Sequence, residues 1–165
     1  VTNCNTGRAE YLTEKDGDRQ RLLDICRASS SLPYVSNVID VDGQPYLDGG
    51  IVDSIPVGRA IDMGYDRNVL VLTRNRGYRN TSKDRKIPKF IYKKYPRLRV
   101  ALSRRIAEYN HQLDMVEEME DKGLVDVIRP LRPMDVDRIE KDEKKLEALY
   151  EEGFQLGEEY CKLKN

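Results

Sequence analysis

The chain has 165 residues, with 29 Lys/Arg against 29 Asp/Glu, one histidine and three cysteines. That length accommodates one domain with a real core, and no apolar run approaches the roughly 18 residues of a membrane-spanning helix. Cys4, Cys26 and Cys161 are far apart with no Cys-x-x-Cys pair, which argues against a disulfide framework or a zinc site and makes a reducing, cytoplasmic setting the expectation.

The neutral total conceals segregated charge. Residues 1–73 carry 7 Lys/Arg and 11 Asp/Glu, residues 74–105 carry 13 and 1, and residues 106–165 carry 9 and 17. The middle segment is therefore strongly basic and the last one acidic, an asymmetry that can mark a binding surface.

Val1–Asn5 and Ala9–Leu12 flank Thr6-Gly7-Arg8 and read as strand, turn, strand. Asp16-Gly17-Asp18 is a loop able to cap a helix over Arg19–Arg27, and Pro33 disfavours helical geometry at Leu32. Val35–Val41 and Gln44–Leu47 read as strands joined at Asp42-Gly43. The second strand delivers Asp48-Gly49-Gly50. A carboxylate before two glycines suits a catalytic acid or base carried on a tight turn, because glycine permits positive φ and close backbone approach. It equally suits a plain hairpin.

Val57–Met63 is a short helix ended by Gly64, and Asn68–Thr73 is a continuous apolar run, as expected of a parallel strand buried on both faces. Residues 74–96 are basic with Tyr78, Phe90, Tyr92 and Tyr95 interspersed. From Leu98 to Met119 apolar residues recur every three or four positions, which predicts an amphipathic helix ended by Gly123. Leu124–Ile128 reads as a short strand. A last helix is expected from Asp135 onward, capped by Asp135 or Asp137, with an apolar stripe including Ile139, Leu146, Leu149, Leu156, Tyr160 and Leu163. The fold class is α/β.

The chemistry on offer is one-sided. His111, the only histidine, lies off the apolar stripe and reads as an exposed helical residue, not as a member of a Ser-His-Asp triad. None of the serines sits in Gly-x-Ser-x-Gly, and Ser29-Ser30-Ser31 reads as a polar helix end. No phosphate loop, calcium loop or His/Glu metal motif is present, so no cofactor or metal is expected. There is a candidate carboxylate, Asp48, without a nucleophile to pair with it.

Ala28-Ser29-Ser30-Ser31-Leu32-Pro33, followed by Tyr46-Leu47-Asp48-Gly49-Gly50-Ile51-Val52-Asp53-Ser54-Ile55-Pro56-Val57, resembles the C-terminal half of the patatin-like phospholipase family. Val1-Thr2-Asn3 with Thr6-Gly7 is similar to the strand and turn that precede this region, and Val69–Arg74 with Gly77-Tyr78-Arg79 resembles the bacterial branch. The likeness is strong over 1–79 and weaker beyond. It implies a fragment of a three-layer α/β/α hydrolase fold with a helical C-terminal extension: residues 1–73 as part of the catalytic core, 74–105 as a basic segment, and 106–165 as a helical region with one short strand. It also implies a Ser-Asp dyad that hydrolyses lipid or other esters. Asp48 would be the dyad carboxylate, with Gly49 and Gly50 as its supporting motif. The serine elbow and oxyanion loop of such proteins come earlier in the chain, so the nucleophile is expected from an N-terminal part of the same protein and this chain alone is expected to be inactive. At Ser54 many members have Asn, a departure that bears on turn chemistry more than on catalysis.

The basic 74–105 segment is either a solvated face or a patch for anionic membrane. A non-catalytic binding or regulatory protein is the alternative reading, and nucleic acid is disfavoured by the sequence pI near 6.8 and the absence of a recognisable nucleic-acid fold.

Overall fold

A computed structural model describes residues 1–14, 17–136 and 140–164. The expected loop residue Asp16, the cap candidate Asp137 and the stripe residue Ile139 lie outside the described residues. The chain divides into two units, Val1–Pro56 with Asn80–Gln112, and Val57–Arg79 with Leu113–Asn165.

In the first unit β1 (Thr2–Asn3) and β2 (Arg8–Ala9) form a hairpin whose turn places Gly7 at φ 64°. A Cβ on Gly7 would stand 2.6 Å from the Arg97 carbonyl oxygen, so both the backbone angle and the close approach require glycine. α1 (Arg19–Ser29) begins at Asp18, whose carboxylate accepts from the Arg21 N–H, the expected cap. Its far end is closed by the serine run: Ser30 Oγ donates to the Cys26 carbonyl and Ser31 Oγ to that of Arg27. The run is thus a polar helix end, as its sequence predicts.

β3 (Ile39–Val41) and β4 (Gln44–Leu47) pair antiparallel, and β4 also pairs with β1, giving the order β2-β1-β4-β3. The Asp42-Gly43 link has φ 54° and 75°, positive at both central residues as the tight two-residue hairpin demands. The strand expected over Val35–Val41 is only its last three residues. The preceding segment turns instead, with Tyr34 at φ 70° and the Ser36 N–H bonded to the Leu32 carbonyl.

Alternation along β4 sends neighbouring side chains to opposite faces. Tyr46 joins Ile25 and Ala28 of α1 with Val41. Leu47 joins Cys4, Ile51, and Leu98 and Leu102 of α3 (Pro96–Asp121). Tyr92 and Tyr95 of the basic segment pack on this second cluster, so those two aromatics serve the core. α3 fills the expected amphipathic range and belongs to the first unit as far as Gln112.

The second unit holds α2 (Val57–Asp62), closed by Gly64 at φ 86°, and a parallel pair, β5 (Val69–Val71) with β6 (Asp126–Ile128). The expectation that the apolar run at β5 is buried on both faces fails. Leu70 is buried, whereas Val69 and Val71 are exposed, because a strand alternates its faces and only one is covered by the described residues. Gly123, at φ 67°, ends α3, with the Leu124 N–H reaching back to the Met119 carbonyl. α4 (Glu143–Lys164) starts later than its sequence suggests. Asp142 caps it by accepting from the Lys144 N–H, while Asp135 is ion-paired with Lys145 at 3.1 Å. No helix among the described residues is long and apolar enough to cross a membrane.

Candidate active site

β4 ends at Leu47 and the backbone leaves the sheet at Asp48. Asp48 is anchored through its main chain on both sides: its N–H donates to the Ser31 carbonyl at 2.9 Å, and its carbonyl accepts from the hydroxyl of the fully buried Thr2 at 2.8 Å. Gly49–Ile51 then forms a single 3₁₀ turn, and Asp48 Oδ1 caps it by accepting from the Gly50 N–H at 2.7 Å. The Asp48-Gly49 pair is therefore a helical cap, unlike the Asp42-Gly43 hairpin six residues before it.

Neither Gly49 nor Gly50 has a positive φ. Their role is close approach. A Cβ on Gly50 would stand 3.0 Å from Asp48 Oδ1, and one on Gly49 would stand 3.2 Å from the Val1 nitrogen. Glycine at the second position is what lets the carboxylate fold back over its own turn.

A cleft of about 460 Å³ opens here, lined among others by Glu10, Tyr11, Asp48, Asp53 and Ser54. Its acids are in different states. Asp53 has a donor on each oxygen: Gln112 Nε2 donates to Oδ1 at 3.0 Å and the Tyr11 hydroxyl donates to Oδ2. Glu10 accepts from the Tyr46 hydroxyl at 2.5 Å; burial, reinforced by this bond to Glu10, pushes the Tyr46 phenol up to about 12. Asp48 has one oxygen on the Gly50 N–H, and the other, Oδ2, takes no hydrogen bond from the described residues. A half-satisfied carboxylate at a cleft wall can take a proton from a hydroxyl brought against it.

The turn is held from α3. Gln112, 6% exposed, accepts the Ser54 N–H at 3.0 Å and the Ile55 N–H at 3.2 Å through Oε1 while donating to Asp53. Arg105 Nε and Ser54 Oγ both donate to the Gly50 carbonyl at 3.0 Å. The sequence reading missed Arg105, Gln112, Tyr11 and Asp53. A signal was available for the two α3 residues: both fall in phase with the apolar stripe of Leu98, Leu102 and Tyr109, where a polar side chain needs a buried partner. His111 is exposed on the same helix, as expected.

The basic segment is partly neutralised within the second unit. Arg79 pairs with Asp114 at 2.6 Å and Glu117 at 2.9 Å, and Arg76 with Glu120 and Asp121. The Arg79 guanidinium, helped by the Gly77 N–H and the nearby Arg129, holds the Glu117 carboxyl down to about 2 despite the opposing effect of burial. Lys83, Arg85, Lys86, Lys89, Lys93 and Lys94 are exposed and carry no ion pair among the described residues, and Phe90 is exposed between them. Among the described residues no cluster of three or more His, Cys, Asp or Glu is placed to hold a metal ion.

The family model for patatin-like phospholipases matches residues 1–61, which takes in the whole Asp48 turn. That match supports a lipid-hydrolase family for this segment. Residues 95–163 match a second model, a domain of unknown function, DUF6363. Over 56 residues the chain is 41% identical to the uncharacterized protein YjjU of Escherichia coli (strain K12), a stretch that covers 33% of this chain and 16% of that protein's length.

Proposed function

We propose that this chain is the C-terminal portion of a patatin-like serine acyl hydrolase and that Asp48 is the carboxylate of its Ser-Asp dyad. The serine would come from an N-terminal part of the same protein, and the strands and helices of residues 1–73 would complete a three-layer α/β/α core there, with 74–105 as a basic segment and 106–165 as the helical region. The observation that carries this reading is Asp48 Oδ2, without a hydrogen bond from the described residues, on a main chain pinned by Ser31 and Thr2 at the wall of a cleft. In the reaction Asp48 takes the hydroxyl proton as serine oxygen bonds to the ester carbonyl carbon. The proton then passes to the departing alcohol as the ester C–O bond breaks, leaving an acyl-enzyme. Water, deprotonated by the same carboxylate, attacks that acyl group, the serine oxygen leaves with the proton, and a carboxylic acid is released. The substrate class is lipid or other esters, in a cytoplasmic protein that meets membranes peripherally.

In the full-length protein Asp48→Asn should lower turnover of a short-chain p-nitrophenyl ester by about 10²–10⁴-fold, the usual worth of a general base, with circular dichroism unchanged. Retained turnover removes Asp48 from the mechanism. The 165-residue chain by itself should show no turnover.

The exposed lysines around Phe90 support a second element, attachment to anionic membrane, at about 1 kcal/mol per cation near the surface. Co-sedimentation with vesicles at low salt should require anionic lipid; equal binding to neutral vesicles rejects it.

A further inference from the structure

The hydrogen bonds around the Asp48 turn cross between the two matched segments. The turn lies within residues 1–61, whereas the two α3 side chains that grip it lie within residues 95–163. We propose that Arg105 and Gln112 are positioning residues for the Asp48 carboxylate, so that the C-terminal region is a built-in part of the catalytic centre. This rests on the reading of Asp48 as the dyad base.

The path is short. Arg105 Nε fixes the Gly50 carbonyl at 3.0 Å, and Gly50 is the residue whose N–H holds Asp48 Oδ1 at 2.7 Å. Gln112 fixes the other end of the same loop through three bonds, to the Ser54 N–H, the Ile55 N–H and Asp53 Oδ1. The loop closes on itself where the Asp53 N–H bonds the Gly49 carbonyl at 2.9 Å. The two amide N–H donors at Ser54 and Ile55 dictate which way the Gln112 amide faces, and the acceptor Asp53 then receives its NH₂. No residue between Gly49 and Ile55 contributes a regular strand or α-helix. Without the α3 side chains the 3₁₀ turn would depend on its own few local bonds, and a single such turn is a poor support for a reacting group.

Neither side chain reaches Asp48 itself, so they act through the turn and should govern the chemical step while leaving ester binding intact. In the full-length protein, Arg105→Ala and Gln112→Ala should each lower kcat for a soluble p-nitrophenyl ester by about 10–100-fold, the scale set by small misplacements of a catalytic group. KM should stay within about threefold, and end-point labelling of the serine by a fluorophosphonate should remain stoichiometric. Arg105→Lys, which keeps a cationic donor, should recover part of the loss. Unchanged kcat in both alanine variants beside an inactive Asp48→Asn overturns the positioning role and leaves the dyad standing. A fall in kcat matched by an equal fall in labelled serine also overturns it, because the loss then lies in folding. An active Asp48→Asn removes the dyad itself.

Discussion

Removing the charge of Glu117 tests the electrostatics of the second unit. Glu117 takes the Arg79 guanidinium on both oxygens, at 2.9 and 3.1 Å, and the Gly77 N–H at 2.8 Å, with Arg129 at 3.7 Å. Its carboxyl is held at about 2 against an ordinary 4.5. At about 1.36 kcal/mol per pH unit that difference sets a ceiling of about 3 kcal/mol. The side chains of Glu117 and Arg79 are 18% and 29% exposed, so solvent screening reduces the contribution to about 1–2 kcal/mol. The folded carboxyl is the more acidic, so this stability is fully present above pH 4.5 and is lost as pH falls from 4.5 toward 2. Glu117→Gln should therefore destabilise the chain by about 1–2 kcal/mol at pH 7, or about 2–8 °C in Tm. The gap to wild type should close on acidification, since the wild-type side chain becomes neutral too. Urea unfolding at pH 7, 5, 4 and 3 measures both curves. A gap that stays constant from pH 7 to 3, or no gap at pH 7, refutes the assignment.

Gly7→Ala should cost more than about 2 kcal/mol in urea unfolding, because it combines a φ of 64° with a Cβ 2.6 Å from the Arg97 carbonyl oxygen; a neutral outcome would mean the hairpin does not meet α3 this closely. Leu47→Ala empties the centre of the cluster with Cys4, Ile51, Leu98 and Leu102 and should cost about 2–5 kcal/mol, with a loss below 1 kcal/mol counting against that packing. Cys4 is fully buried and burial pushes its thiol up to about 11, whereas Cys26 and Cys161 are exposed. Iodoacetamide at pH 8 followed by peptide mapping should modify the latter two and spare Cys4 until the chain is unfolded.

Local signals were readable wherever one residue decides the geometry. Asp18 before an apolar helix, Gly64 and Gly123 behind helices, and Gly7 in a hairpin turn each stand where the sequence places them. The two Asp-Gly pairs show the limit. Asp42-Gly43 makes the hairpin because alternating residues return after it, whereas Asp48-Gly49 is followed by a second glycine and no paired strand, and closes a 3₁₀ turn. The Asp-Gly dipeptide is common to both; the residues that follow and the long-range pairing separate them. Asp135 illustrates the same point at α4, where a carboxylate of good capping type is taken by Lys145 and Asp142 does the capping. In the candidate site, the turn at Asp48-Gly49-Gly50 was legible from its motif. The grip of Arg105 and Gln112 spans more than 50 residues, and no local pattern records which backbone a buried polar side chain will meet.

The central claim is that Asp48 removes the proton from the attacking serine. Its most direct measurement is the rate of acyl-enzyme formation in the full-length protein, followed as the pre-steady-state release of p-nitrophenolate, with Asp48→Asn beside wild type. The account predicts a rapid release phase in wild type that slows by about 10²-fold or more in the variant, with the folded fraction unchanged. An acylation rate equal to wild type would contradict it.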